Sequence, residues 1–129
     1  MKLLDESFQE FKKIFPQTVL EQQFRDQVGR YAFLIRIGKT RYVLCAKRSM
    51  DGNIVSVDTE IYKAARTWNT KIVLYYKDQD VKAGRFYVYP WRDIDDCSSK
   101  FYNERHAKTM INFPIGVGIN LLKLIARAA

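Results

Sequence analysis

The stretch Tyr31-Ala32-Phe33-Leu34-Ile35-Arg36-Ile37-Gly38-Lys39-Thr40-Arg41-Tyr42-Val43-Leu44-Cys45-Ala46-Lys47 decides the fold. Its side chains alternate with period two and are rich in β-branched and aromatic types, which is the pattern of strands. Gly38-Lys39-Thr40 supplies the turn, so the stretch predicts a β-hairpin. On its N-terminal side, Leu4, Phe8, Phe11 and Phe15 are spaced by 4, 3 and 4, one face of a helix that Pro16 stops. Between the two, Gln17 to Val28 fits either element. Leu20, Phe24 and Val28 make a helical face, while Thr18-Val19-Leu20 can open a strand.

On the C-terminal side, Met50-Asp51-Gly52-Asn53 is a turn, and Ile54 to Val57 is a short extended piece. Asp58 can cap a helix running to about Trp68, with Ile61, Ala65 and Trp68 as its predicted buried stripe. Lys71 to Tyr76 is apolar on both faces, which predicts a central strand covered on both sides. Asp78 to Gly84 is a polar turn, Arg85 to Tyr89 a further strand, and a last helix is expected after Gly118 with Ile119, Leu122 and Ile125 or Ala126 facing inward. These elements predict an α/β (α+β) chain, a central mixed sheet of four to five strands flanked by helices. A length of 129 residues predicts a single domain over 1–129.

Composition narrows the partner class. Lys and Arg number 22 against 14 acids, a formal charge of +8. The charge is unevenly placed. Between Gln27 and Met50 there is no acid, but six bases: Arg30, Arg36, Lys39, Arg41, Lys47 and Arg48. A basic β-ribbon interleaved with Tyr31 and Tyr42 suits phosphate contacts, so nucleic acid is the expected partner; a solvated sheet face is the plainer reading. The apolar runs are short and broken, which predicts a soluble, cytoplasmic protein with no membrane partner. Two cysteines at 45 and 97 make neither a disulfide scaffold nor a zinc cage, and one histidine, His106, excludes a two-histidine zinc site. Asp93, Asp95 and Asp96 lack the glycine and spacing of a calcium loop, and Gly116-Val117-Gly118 lacks the following Lys-Ser/Thr of a phosphate loop.

The strand Val43-Leu44-Cys45-Ala46-Lys47-Arg48, the helix from Asp58 to Trp68 and the strand Lys71 to Tyr76 together resemble the PD-(D/E)xK nuclease superfamily, the restriction-endonuclease-like fold. The resemblance covers roughly residues 20–90 and rests on element order and one lysine. It implies a metal-dependent nuclease that hydrolyses phosphodiester bonds with Mg²⁺, DNA ahead of RNA as partner, and Lys47 as the lysine beside the reacting phosphate. Cys45 stands where the family carries an acid, and a thiol is a poor ligand for a hard cation. Either the acid has moved, with Glu60 and Asp26 as catalytic and metal-binding carboxylates, or the site is dead and only a nucleic-acid surface remains. Asp26 lies 19 positions before Cys45. Each candidate also has a structural reading: Lys47 as a strand-end base, Asp26 as a surface acid, Glu60 as a first-turn residue complementing the helix dipole. A homodimer is expected for so small a chain if it matches duplex symmetry. A different class of function is an interaction or inhibitor module using Tyr87, Tyr89, Trp91 and Arg92.

Overall fold

The computed structural model describes residues 2–25, 31–48, 54–77, 84–92, 99–103, 108–114 and 119–120. Helix α1 (Lys2–Ile14) carries the predicted apolar face, with Leu4 and Phe11 buried and Phe8 and Phe15 packed beside them. Its end is closed by Thr18, whose backbone N–H and hydroxyl both donate to the Phe15 carbonyl, at 3.0 and 2.6 Å. The ambiguous segment after Pro16 is a strand, β1 (Val19–Arg25), antiparallel to β2 (Tyr31–Ile37). β1 is the edge of the sheet, and its exposed Glu21, Gln22 and Gln23 give that edge a polar face. The predicted hairpin is β2 and β3 (Thr40–Lys47), closed by the pair Ile37↔Thr40 around Gly38 at φ 59. Positive φ at the first turn position is what a two-residue hairpin of this kind needs, and glycine adopts it without strain.

β4 (Ile54–Asp58) and α2 (Thr59–Thr67) connect β3 to β5 (Lys71–Tyr76), and β3 and β5 pair in parallel. β6 (Arg85–Pro90) returns antiparallel to β5. The main sheet therefore has five full strands in the order β1-β2-β3-β5-β6, of mixed direction, with the two-residue β9 (Ile119–Asn120) on its far edge. A second sheet has the order β4-β8-β7, from β7 (Ser99–Asn103) and β8 (Lys108–Pro114). The chain is of the α+β class.

Alternation divides the core in two. Phe33, Ile35, Tyr42, Leu44, Val73 and Val88 lie against Leu4 and Phe11 of α1. Their neighbours Ala32, Leu34, Val43, Cys45, Ile72, Leu74 and Tyr89 face the other way, against Tyr62 and Ala65 of α2 and Val57 of β4. β5 is buried from Ile72 to Tyr75, as a strand covered on both faces must be.

Two expectations fail here. The stripe of α2 is Tyr62 and Ala65, with Ile61 and Ala64 packed partly behind them, whereas Trp68 is 41% exposed. The helix ends at Thr67; the Trp68 N–H still donates to the Ala64 carbonyl at 3.0 Å, but the buried stripe centres on Tyr62 and Ala65, Asn69 at φ 48 turns the chain, and the Trp68 ring lies outside that core under the Arg41 guanidinium. Nor does a helix begin after Gly118: Ile119 and Asn120 pair with Val88 and Tyr87 on the open edge of β6. The remainder of that expected helix, the turn at 50–53, most of the turn at 78–84, the acidic cluster at 93–96, the glycines at 116 and 118, Cys97 and His106 lie outside the described residues. Among the described residues, no helix is long and apolar enough to cross a membrane.

Candidate nucleic-acid interface

Lys47 ends β3, opposite Tyr76, and its carbonyl accepts the Lys77 N–H at 3.0 Å. Alternation with Val43 and Cys45 puts it on the α2 face, half-buried. Cys45, two residues earlier, is fully buried in that core. Burial pushes its thiol up to about 12, and the Lys47 charge only partly opposes this. Cys45 therefore holds a neutral thiol at neutral pH. Glu60 is exposed in the first turn of α2 and lies 3.6 Å from the Lys63 ammonium. Asp26 and Arg30 lie outside the described residues. Among the described residues, no three His, Cys, Asp or Glu side chains gather as metal ligands would.

Among the described residues, the bases of the hairpin fall into two groups. Arg36, Lys39 and Arg41 sit around the hairpin turn, whereas Lys47 and Arg48 sit at the other end of β3. Six steps of extended chain lead from Arg41 to Lys47, roughly 20 Å. At the turn end, Arg36 and Arg41 are directly opposite each other, an arrangement that repels. Glu21 relieves it. Its Oε1 accepts from Arg36 Nε at 2.5 Å and its Oε2 from Arg41 Nε at 2.9 Å. The register of β1 shifts between Leu20 and Gln22, so Glu21 is the extra residue of a β-bulge that aims it across two strands. The hydrogen bond from Arg41 is the largest influence on its carboxyl; desolvation opposes it, and the bond from Arg36 with the charges of both guanidiniums keeps the carboxyl below the usual range.

The same end of the sheet gathers residues far apart in sequence. β3 and β5 begin there and β6 ends there, since Lys71 pairs with both Tyr42 and Pro90. The Thr70 hydroxyl donates to the Arg41 carbonyl, which ties the exit of α2 to the start of β3. Arg41 lies over the Trp68 ring at 5.2 Å. Trp91 donates its Nε1–H to Asn69 Oδ1 at 3.1 Å, and the guanidiniums of Arg66 and Arg92 lie over its ring at 5.6 and 5.3 Å. Asn69, Thr70, Lys71, Pro90, Trp91 and Arg92 line an open recess of about 260 Å³.

The structure thus joins two sets of residues that the sequence keeps apart: the turn-end bases Arg36, Lys39 and Arg41, and the pair Trp91–Arg92. Trp91 is itself half-buried against the core that holds Tyr89, with Tyr87 beside it, and Arg92 is exposed. Tyr89 is fully buried, its phenol pushed upward first by that burial, and Tyr87 packs on the same core. Arg66, Trp68 and Lys71 carry no local signal of a site; only the convergence of strand ends with the end of α2 assembles them. Comparison of the chain with family models, with curated proteins and with solved structures finds no match in any of the three.

Proposed function

We propose that this chain is a nucleic-acid-binding domain on a divergent restriction-endonuclease-like core, and that it meets the polyanion with the arginine-rich end of its main sheet. The observation that carries the reading is the convergence at one end of the main sheet of Arg41 over Trp68 and of Arg66 and Arg92 over Trp91, with Lys71 lining the recess and Arg36 sharing the Glu21 carboxylate with Arg41. The order α1, β1, β2, β3, β4, α2, β5, with β3 and β5 parallel and the β4–α2 connection between them, supports the fold assignment. DNA is the first partner to test, because the resemblance is to enzymes that cut it. Binding without cleavage is favoured by the chemistry of Cys45, whose protonated thiol offers a divalent cation no hard donor. A Mg²⁺ site would have to be built from Asp26 and Glu60 instead, with Lys47 beside it.

Affinity for a labelled oligonucleotide should fall steeply with salt. Three phosphate contacts predict a loss of roughly forty-fold between about 50 and 200 mM salt. A flat response would overturn the reading. Cleavage of the same oligonucleotide on adding Mg²⁺ or Mn²⁺, abolished by Lys47→Ala, would overturn the non-cleaving part alone.

Glu21 provides an internal test. Its carboxylate occupies the two guanidiniums as a phosphate would, so Glu21→Gln should raise affinity several-fold and steepen the salt slope by about one. Anisotropy titrations at several salt concentrations measure both. An unchanged slope would show that Arg36 and Arg41 do not reach phosphates. Acid should act like the substitution: the carboxyl is depressed in the fold, so the clasp holds above its usual value of 4.5 and opens as pH falls through its lower folded value.

A further inference from the structure

We infer that the recess beside Trp91 takes an unpaired base, which makes single strands the preferred form of the nucleic acid. This rests on the nucleic-acid reading above and adds the substrate class. A surface that touches only phosphates needs cations and no rings. Here the guanidiniums of Arg66 and Arg92 lie over the Trp91 indole, and that of Arg41 over Trp68, which remains 41% exposed. Indole faces and guanidinium planes are the two surfaces on which bases stack.

The geometry of the recess points the same way. At about 260 Å³ it lies below the roughly 300–1,000 Å³ of pockets that hold drug-sized ligands, and it suits one flat ring system. Trp91 forms one wall, and Asn69, Thr70 and Lys71 bring polar groups to the edge of whatever lies against it. The hydrogen bond from Trp91 to Asn69 fixes the ring, so little rotamer freedom is lost on stacking. Asn69 is adjacent to Trp68, so a strand passing from one indole to the other runs beside Arg41, where its phosphates meet Arg41 and Arg36. In a duplex the base faces are covered by their neighbours, and neither ring can be used.

Electrostatics alone would favour the opposite partner. Counterion release per contacted phosphate is larger for duplex than for single-stranded DNA, so a purely cationic surface binds the duplex better. A single-strand preference is therefore diagnostic of stacking. The chain has two tryptophans, so Trp68→Phe leaves Trp91 as the sole indole reporter. In that variant, oligothymidylate should quench the emission, whereas heparin, a polyanion without bases, should not. The wild-type chain should bind oligothymidylate about ten-fold more tightly than a blunt duplex of equal length. Trp91→Ala should remove that advantage and leave the dependence on salt unchanged; Trp91→Phe, which keeps a ring, should retain most of it. Circular dichroism melts identify any variant that has lost its fold, and the quenching comparison does not depend on variants at Trp91. Equal quenching by heparin, or equal affinity for both DNA forms, would overturn the stacking inference and leave the binding reading standing. Salt-independent binding of every polyanion, or none, would remove both.

Discussion

Replacing Phe11 by alanine should destabilise the protein by about 3–5 kcal/mol, the usual cost of removing a fully buried ring. Phe11 is 0% exposed at the centre of the face that α1 lays on the sheet. Its ring centroid lies 5.1 Å from that of Phe15 and 5.7 Å from that of Phe86, the second edge-on. It thus joins α1 to β6 through aromatic contact as well as apolar area. Leu4 and Phe8 remain in the variant, but neither can reach into the space Phe11 leaves without moving the helix. Domains of this size have total stabilities of about 5–15 kcal/mol, so the loss is a large fraction of the whole. The urea midpoint should fall with the slope unchanged, and the melting temperature by roughly 10–20 °C. Phe15→Ala, at a half-buried position, should cost clearly less. A drop below about 1 kcal/mol for Phe11→Ala would mean that α1 does not cover this face. The turn-end arginines lie on other elements, so oligonucleotide binding well below the melting temperature should persist.

Much of this arrangement is legible in the sequence because it is periodic. The 4-3-4 spacing in α1 and the switch to period two at Tyr31 each depend on a few neighbours, and the unbroken apolar run of β5 follows from burial on both faces. The failures share a different cause. Leu20 and Phe24 satisfy both periods, so only pairing with β2 decides that β1 is a strand. β8 and β9 exist because β4 and β6 offer open edges, a property of strands fifty and thirty residues away by rough count, not of the segments themselves. Trp68 matches the helical stripe on paper, yet the helix stops one residue before it.

The candidate site shows the same division more sharply. Charge and aromatic content are visible residue by residue, so the bases of the hairpin stand out. Their partners do not. Glu21 reaches Arg36 and Arg41 only through a bulge, and no residue pattern announces that bulge. Arg66, Trp68 and Lys71 lie in the turn between α2 and β5 or beside it, and join Arg41 and Trp91 because strand ends converge. The described bases of the hairpin fall into two groups for a simple reason of length: a hairpin with bases at both ends has two basic poles, and Lys47 belongs to the one away from the tryptophans.

The close packing of a tyrosine ring on one glycine sets up the other large effect. Gly84 should not tolerate alanine, and the substitution should cost about 2–4 kcal/mol through overpacking and lost hydrogen bonds. A Cβ there would run into Cζ and Cε1 of the Tyr75 ring and lie 2.6 Å from its hydroxyl oxygen. A flexible side-chain tip could swing aside; this ring cannot do so cheaply. Tyr75 is 2% exposed and packs on Phe86 with centroids 4.8 Å apart. Its hydroxyl donates to Glu6 Oε2 at 3.0 Å and accepts the Gly84 N–H at 3.2 Å. Lys77 grips the same Glu6 carboxylate at 2.9 Å, so the ring is part of the tie between α1 and β5. Burial first, and then the bond to Glu6, push the phenol up to about 12, which keeps it a donor at neutral pH. Moving the ring to admit a methyl group would break both of its hydrogen bonds and disturb the Phe86 contact. A double-mutant cycle isolates the cause. Tyr75→Leu removes the atoms that the Cβ would strike, so Gly84→Ala made in that background should cost well under 1 kcal/mol, and the two changes should be non-additive by more than about 1 kcal/mol. Additive costs would mean that the intolerance, if present, comes from the backbone at Gly84 and not from the ring packed against it.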